Sequence, residues 1–242
     1  MGGRVGGGER GLIRVVSFDV GGTLASGELD REVYVDRVVA YLRGIGYSIS
    51  VDDYKRALRP SMERLAKLRA KGREMRFEDF YSAILKRLKI VPSQEILDEI
   101  RKLYRLSFPQ TVKEGVREVL EELKGRYRLA VISNSMSLLP KYFLEEHGLM
   151  HYFEVVVISG AVGYRKPHPR IFRHALERLG VPAWQVVHVG NSVKEDIAGA
   201  KAVGMHAILV RDEAIGLNAG VEADAVVDYI TEVPQAVERL NT

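Results

Sequence analysis

Four short stretches carry side chains that could do chemistry together. Phe18-Asp19-Val20-Gly21-Gly22-Thr23-Leu24 ends an apolar run on a carboxylate and two glycines, and Val131-Ile132-Ser133-Asn134-Ser135 ends one on a hydroxyl and an amide. Gly163-Tyr164-Arg165-Lys166-Pro167-His168-Pro169 offers an ammonium, and His188-Val189-Gly190-Asn191-Ser192-Val193-Lys194-Glu195-Asp196 brings an amide and further carboxylates. A carboxylate at a strand tip, followed by glycines that let backbone amides approach a ligand, is placed as a nucleophile toward electrophilic phosphorus or carbon. Ser133 and Asn134 would supply neutral donors, and Lys166 a point charge for substrate oxygens and for charge developing in the transition state. Asp196 adds a carboxylate near Asp19, and two carboxylates in one crevice repel unless a cation or ammonium lies between them. Mg²⁺, a hard cation with oxygen ligands that also bridges to phosphate, suits that place.

Such groups meet only if elements bring them together. Ile13 to Asp19 reads as a buried strand entering a tight turn, and the same form recurs at Tyr127 to Ser133, Phe153 to Ser159, Val186 to Gly190, His206 to Val210 and Ala225 to Asp228. Helical patterns lie between them at Lys113–Lys124, Leu138–His147, Pro169–Leu179, Lys194–Ala202 and from Thr231 onward. This alternation, with near-continuous apolar strands, implies an α/β fold, a doubly wound parallel Rossmann-like sheet covered on both faces. Ligands then bind at the carboxyl ends of the strands, near the switch in strand order, and all four stretches are expected at strand ends there.

Residues 28–108 differ. Val35-Val38-Val39-Leu42, Leu58-Met62-Leu65-Leu68 and Phe77-Phe80-Tyr81-Ile84-Leu85-Leu88 repeat with helical period, and no strand pattern intervenes. Four helices are expected, the second opened by a capping box of Ser50 with Asp53 and the fourth by Pro92-Ser93. The block is therefore expected to be an inserted helical domain over the crevice, with 12–27 and 109–242 forming the α/β core and the glycine-rich residues 1–11 a flexible arm.

Composition removes other classes. The 242 residues, 46% hydrophobic and 28% charged, suit a globular chain with its own core, and the absence of cysteine excludes disulfides, thiolate metal sites and cysteine nucleophiles. A cytoplasmic location without export or membrane anchoring is the expectation, since no stretch approaches the ~20 apolar residues of a membrane helix. The net charge of +4 is regional: residues 1–27 carry 3 basic and 2 acidic side chains, 28–108 carry 18 and 13, and 109–242 carry 15 and 17. A basic helical block without an aromatic stacking arrangement points to a small anionic substrate, a phosphate ester or carboxylate, rather than nucleic acid. His147, His168 and His188 are read as structural or solvated, and Trp184 as packed beneath a loop.

In this order on alternating strands the four stretches resemble the haloacid dehalogenase (HAD) superfamily over residues 12–240, with 28–108 as its helical cap. The resemblance implies a Mg²⁺-dependent phosphatase in which Asp19 forms an aspartyl-phosphate, Ser133 and Asn134 hold the phosphoryl group, and Lys166 lies beside both. It implies a metal site from Asp19, the Gly21 carbonyl, Asn191 and Asp196, the last through water.

Two positions depart from that pattern. The family's Asp-x-Asp-Gly-Thr has Gly21 in its third place, which removes the general acid/base, a contribution of roughly 10²–10⁴ in rate. Its Gly-Asp-Ser has Asn191, which keeps an oxygen but loses a charge, with Glu195 as a candidate to compensate. Related branches that lack the second Asp run other chemistry, so metal-independent 2-haloacid dehalogenation or C–P hydrolysis is one alternative, with a cap arginine such as Arg31, Arg37, Arg43 or Arg59 on the substrate carboxylate. A fold-retaining binding or regulatory protein with little turnover is the other.

Overall fold

The computed structural model describes residues 12–213, 215–216 and 220–241; the expected arm at 1–11 lies outside the described residues. The chain opens with β1 (Val15–Phe18) and the short β2 (Ala25–Ser26), then runs through four helices, α1 (Arg31–Gly44), α2 (Val51–Arg69), α3 (Phe77–Arg87) and α4 (Gln94–Leu106). It returns through β3 (Thr111–Val112), α5 (Val116–Lys124), β4 (Arg128–Ser133), α6 (Leu139–Glu146), β5 (Val155–Ile158), α7 (Ser159–Val162) and α8 (Pro169–Leu179). The remainder is β6 (Val186–Gly190), α9 (Ala198–Lys201), β7 (His206–Val210), β8 (Ala225–Val227) and α10 (Val233–Leu240).

Six strands form one parallel sheet in the order β5-β4-β1-β6-β7-β8. The chain winds outward from β1 to β4 and β5, then crosses to the other side of β1 for β6, β7 and β8, so β1 sits at the switch with β4 and β6 as neighbours. Its alternating side chains explain why both faces are covered. Val16 and Phe18 join a core with Val119, Leu120, Phe143 and Val237 from α5, α6 and α10, whereas Val15 packs with Ile171, Phe172 and Ala200 from α8 and α9. Each fully buried aliphatic or aromatic side chain contributes about 1.5–3 kcal/mol against exposure, which makes the register of β1 expensive to slip.

The helical block has a separate core in which Val38, Leu42, Tyr54, Leu65, Ile84 and Ile100 meet. Its caps follow the sequence: Ser50 accepts from the Asp53 amide while Asp53 accepts from that of Ser50, and Ser93 caps α4. Where the chain leaves and re-enters the sheet domain, Ala25 and Ser26 pair antiparallel with Val112 and Thr111. That pairing, followed by a left-handed Gly115 at φ +77°, delays the helix expected from Lys113 until Val116.

Three other expectations change. Lys166 does not stand at a strand end, because α7 intervenes after β5 and places it in the loop before α8. The helix expected over Lys194–Ala202 begins as a wider π turn, Val193–Ile197, before α9. Trp184, expected beneath a loop, is 47% exposed in a single 3-10 turn ahead of β6.

Candidate active site

The turns after β1, β4 and β6 and the loop before α8 converge at the carboxyl edge of the sheet. The Asp19 amide donates to Val189 O of β6 (2.9 Å), holding the residue at the strand tip. The turn beyond it needs glycine at one place: Gly22 has φ +78°, and a Cβ there would lie 2.2 Å from Asn191 Nδ2. Gly21 differs, since a Cβ there would meet nothing within 4 Å.

Lys166 is the hub. Its Nζ donates to Asp19 Oδ1 (2.7 Å) and Ile132 O (2.6 Å) and lies 2.6 Å from Asp196 Oδ1, with the side chain 1% exposed. A buried ammonium is tolerable only when compensated, and here two carboxylates flank it. Burial acts to lower the Lys166 pKa, but Asp19 and Asp196 outweigh it and raise it, so the amine stays charged. Burial together with the charge of Asp196 pushes Asp19 from 3.8 up to about 6 against the pull of Lys166. For Asp196 burial also acts upward, but Lys166 and the hydrogen bond from His188 hold it below the ordinary carboxylate range.

The side-chain amide of Asn134 fixes the Lys166 loop. Asn134 Oδ1 accepts from the Lys166 amide (2.8 Å), and its Nδ2 donates to Lys166 O (3.1 Å) and Glu195 Oε2 (2.9 Å). Glu195 Oε1 accepts from Arg165 Nη2 (2.8 Å), so Glu195 faces Asn134 and Arg165 and is a positioning group. Its expected role as a substitute metal ligand is not what that direction offers. Ser133, at the end of β4, is buried, and its hydroxyl has no hydrogen-bond partner among the described residues. The Asn134 side chain, expected on a ligand, is thus already committed to the loop, while Ser133 Oγ is open to one.

His188 is wholly buried on β6, with Nδ1 2.9 Å from Ser17 Oγ and Nε2 3.3 Å from Asp196 Oδ1, and burial lowers its pKa. It orients Asp196 from below the site, a structural role as expected. His168 caps α8, accepting from the Arg170 amide, and packs against Tyr164 at 4.5 Å between ring centres with the rings tilted by 44°.

The donor set bears directly on Mg²⁺. Asp196 has both oxygens engaged, Oδ1 by Lys166 and His188 and Oδ2 by the Ser192 amide (2.8 Å), so a cation would meet it through water. The Asn191 Nδ2 donates to Glu213 O (2.8 Å), which leaves Oδ1 for a ligand. Asp19 Oδ2, the Gly21 carbonyl and Asn191 Oδ1 remain: hard oxygens of the kind Mg²⁺ takes, with a single formal charge among them. No cluster of three His, Cys, Asp or Glu suited to a metal exists among the described residues.

Sequence reasoning missed one buried link between the helical block and the sheet domain. Glu74, its side chain fully enclosed, accepts from Arg69 Nε (3.1 Å), pairs with Arg165 Nη1 (3.5 Å) and accepts from Ser159 Oγ (3.4 Å). A lone Glu among many charges in 28–108 carries no signal of burial; only Arg165, beside Lys166, hinted at a partner.

Comparison with known proteins gives a consistent answer. A family model described as haloacid dehalogenase-like hydrolase matches residues 13–204. A glyceraldehyde 3-phosphate phosphatase of Methanothermobacter thermautotrophicus is 44% identical over 107 residues, 44% of this chain and 45% of the relative, so the chain spans about half the length of that relative. A phosphoglycolate phosphatase of Vibrio parahaemolyticus is 31% identical over 210 residues, 79% of this chain and 81% of the relative. The crystal structure of a 2-haloacid dehalogenase from Pseudomonas syringae shares the fold with TM-score 0.70 at 24% identity, covering 94% of this chain and 99% of that one.

Proposed function

The chain belongs to the haloacid dehalogenase-like hydrolases, and from that premise we propose that it hydrolyses phosphate monoesters of small organic molecules through an aspartyl-phosphate on Asp19. The observation that carries this reading is Lys166 Nζ held between the Asp19 and Asp196 carboxylates at the carboxyl edge of the sheet. A carboxylate oxygen of Asp19 attacks phosphorus, the ester P–O bond breaks, and the leaving oxygen departs with the electron pair. Water then attacks the acyl phosphate, releasing inorganic phosphate and restoring the carboxylate. Lys166 neutralises the phosphoryl oxygens as charge develops, Ser133 donates to one of them, and Asn134 keeps Lys166 in place. Mg²⁺, held by Asp19, the Gly21 carbonyl and Asn191, would add charge neutralisation for the phosphoryl group.

Gly21 offers no proton to the leaving oxygen and no base to the water. Good leaving groups, aryl and acyl phosphates, are therefore the favoured substrates, and alkyl phosphates are slow. Residues 28–108 act in this reading as a cap whose net +5 draws anions toward the crevice. The cysteine-free composition supports a cytoplasmic site of action, and no helix among the described residues is long and apolar enough to cross a membrane. The test is steady-state hydrolysis of phenyl phosphate with Mg²⁺ and with chelator: faster turnover with Mg²⁺ supports the proposal, and equal rates sink the metal-assisted part of it.

Loss of the carboxylates at positions 21 and 191 favours one second reading, displacement of halide from a 2-haloacid by Asp19 without metal. Halide release across a haloacid panel without phosphatase turnover would replace the first reading with this one.

A further inference from the structure

The loop between α2 and α3 reaches the sheet domain and pairs with the loop ahead of Lys166. The Glu74 amide donates to Gly163 O (3.1 Å) and the Arg165 amide to Gly72 O (3.0 Å), which sets Arg73 opposite Tyr164 as an antiparallel pair. In extended backbone successive side chains point to opposite sides. Glu74 and Arg165 accordingly meet inward, while Arg73 and Tyr164 meet on the outer side, the Arg73 guanidinium 4.1 Å from the ring centre. Gly72, at φ +67°, permits this close approach, because a Cβ there would lie 2.9 Å from His168 Cβ.

Further cations come to the same ring from α8. Arg170 donates to the Tyr164 hydroxyl with its guanidinium 4.7 Å from the ring centre, and His168 lies against the ring at 4.5 Å. Arg173 follows three residues later on the same face of α8. Arg73, Arg170 and Arg173 are all exposed, and none has a carboxylate within ion-pair distance among the described residues. Glu74 is held by Arg69 and Arg165, and Glu195 by Asn134 and Arg165, so both are committed to the inner side. Burial and the charges of Arg170, Arg73 and Arg173 lower the pKa of His168, so these groups share one field. Like charges repel, and an aromatic face offsets only part of that repulsion. Exposed arginines such as Arg56, Arg126 and Arg211 each have a carboxylate beside them; here three gather without one.

Guanidinium groups present forks of N–H donors that match the oxygens of phosphate-like anions. A long polyanion calls for cations spread along a track, whereas these converge on one ring. We propose that Arg73, Arg170 and Arg173 form a binding site for a phosphoryl-type dianion, free phosphate or the phosphoryl group of a small molecule, outside the catalytic crevice. None of the three lines the cavity of about 490 Å³ between the helical block and the loop after β4. Arg73 belongs to the helical block and Arg170 and Arg173 to the sheet domain, so a bound dianion ties the two together over the loop that carries Lys166. The site stands whether or not Asp19 turns over a phosphate ester.

The experiment follows the His168 ring by NMR in the full chain at constant ionic strength, its signal identified by loss in His168→Gln. The probes are sulfate and inorganic phosphate as free anions and methylphosphonate as a phosphoryl group carried on carbon. Each is expected to give a saturable shift, with His168 titrating at higher pH when the dianion is bound, because a neighbouring negative charge favours the protonated ring. Tighter binding of phosphate than of methylphosphonate identifies the free anion, and the reverse order a carried phosphoryl group. Arg170→Gln and Arg173→Gln should each weaken binding by about threefold to fivefold, the scale of an exposed charge pair. Arg211→Gln should leave it unchanged. Without added dianion, Arg173→Gln should melt no lower than the parent, because it relieves repulsion and breaks no hydrogen bond. A shift reproduced by chloride at equal ionic strength, or one indifferent to both Arg170→Gln and Arg173→Gln, overturns the proposal. So does a sulfate response lost in Asp19→Asn but intact in Arg173→Gln, which places the anion in the crevice. Binding of an oligonucleotide through these arginines without any response to sulfate or phosphate replaces the small dianion with a polyanion.

Discussion

At Gly21 the missing group and the room for it coincide. A Cβ there meets nothing within 4 Å, so Gly21→Asp can introduce a side chain two residues from Asp19 without its Cβ displacing a neighbour. If the remaining machinery is intact, the variant should raise phenyl phosphate turnover by at least about tenfold, short of the full ~10²–10⁴ that a well-placed acid/base gives. Unchanged turnover would show that more than the acid is lost. In the proposed mechanism Asp19 sets the acid limb of activity. Its pKa is raised to about 6 and the nucleophile must be ionised, so kcat/KM should fall about tenfold per pH unit below that value and level off above it. The stability signs differ between the two carboxylates. Asp19, raised, favours the folded chain increasingly as pH falls from 6 toward 4. Asp196, lowered, contributes stability above pH 3.8 that is lost as pH falls further. A pH–rate profile with no inflection between pH 5 and 7 would contradict the assignment of Asp19.

Among elements, the strands and helices were largely legible because burial on two faces imposes continuous apolar strands and strong periodicity. The tips of β1, β4 and β6 carry Asp19, Ser133 and Asn191 as their sequences suggested, up to one residue past the strand. The loop carrying Lys166 was less legible, because four residues of α7 separate it from β5 and its position depends on Asn134, a partner 32 residues away. Long-range polar pairing of this kind has no periodic signature. The same applies to Glu74, which joins the helical block to Arg165. Glu74→Ala should lower stability by about 2–3 kcal/mol, less than the ~3–5 of a fully buried pair because Arg69 reaches water. Denaturant midpoints at equal m would measure it, and a loss below 0.5 kcal/mol, within the ordinary range of surface substitutions, would show that the link is weak.

For the whole molecule, the uneven charge was visible in the sequence, whereas the cavity under the helices was not. Tyr81 falls within a helical repeat in the sequence, but only the fold shows that it is buried in one core with Tyr34 and Tyr54. A block of net +5 above a sheet domain of net −2 should steer anions, so kcat/KM for an aryl phosphate should fall severalfold between about 0.01 and 0.15 M salt, as the Debye length contracts from ~30 to ~8 Å. A salt-independent kcat/KM would remove that role from the cap.

The proposed covalent step on Asp19 can be caught, because in that mechanism Gly21 leaves the second step without a base. Attack on phenyl phosphate needs no acid when the leaving group is good, whereas water attack on the acyl phosphate is unassisted, so the intermediate should accumulate. Rapid mixing of the chain with phenyl phosphate, acid quench and mass spectrometry of its peptides reads this directly. A burst of phenol with one phosphoryl group on the peptide containing Asp19, absent from Asp19→Asn, is the expected result; phenol release without a phosphorylated peptide, or a phosphoryl group elsewhere, would contradict it.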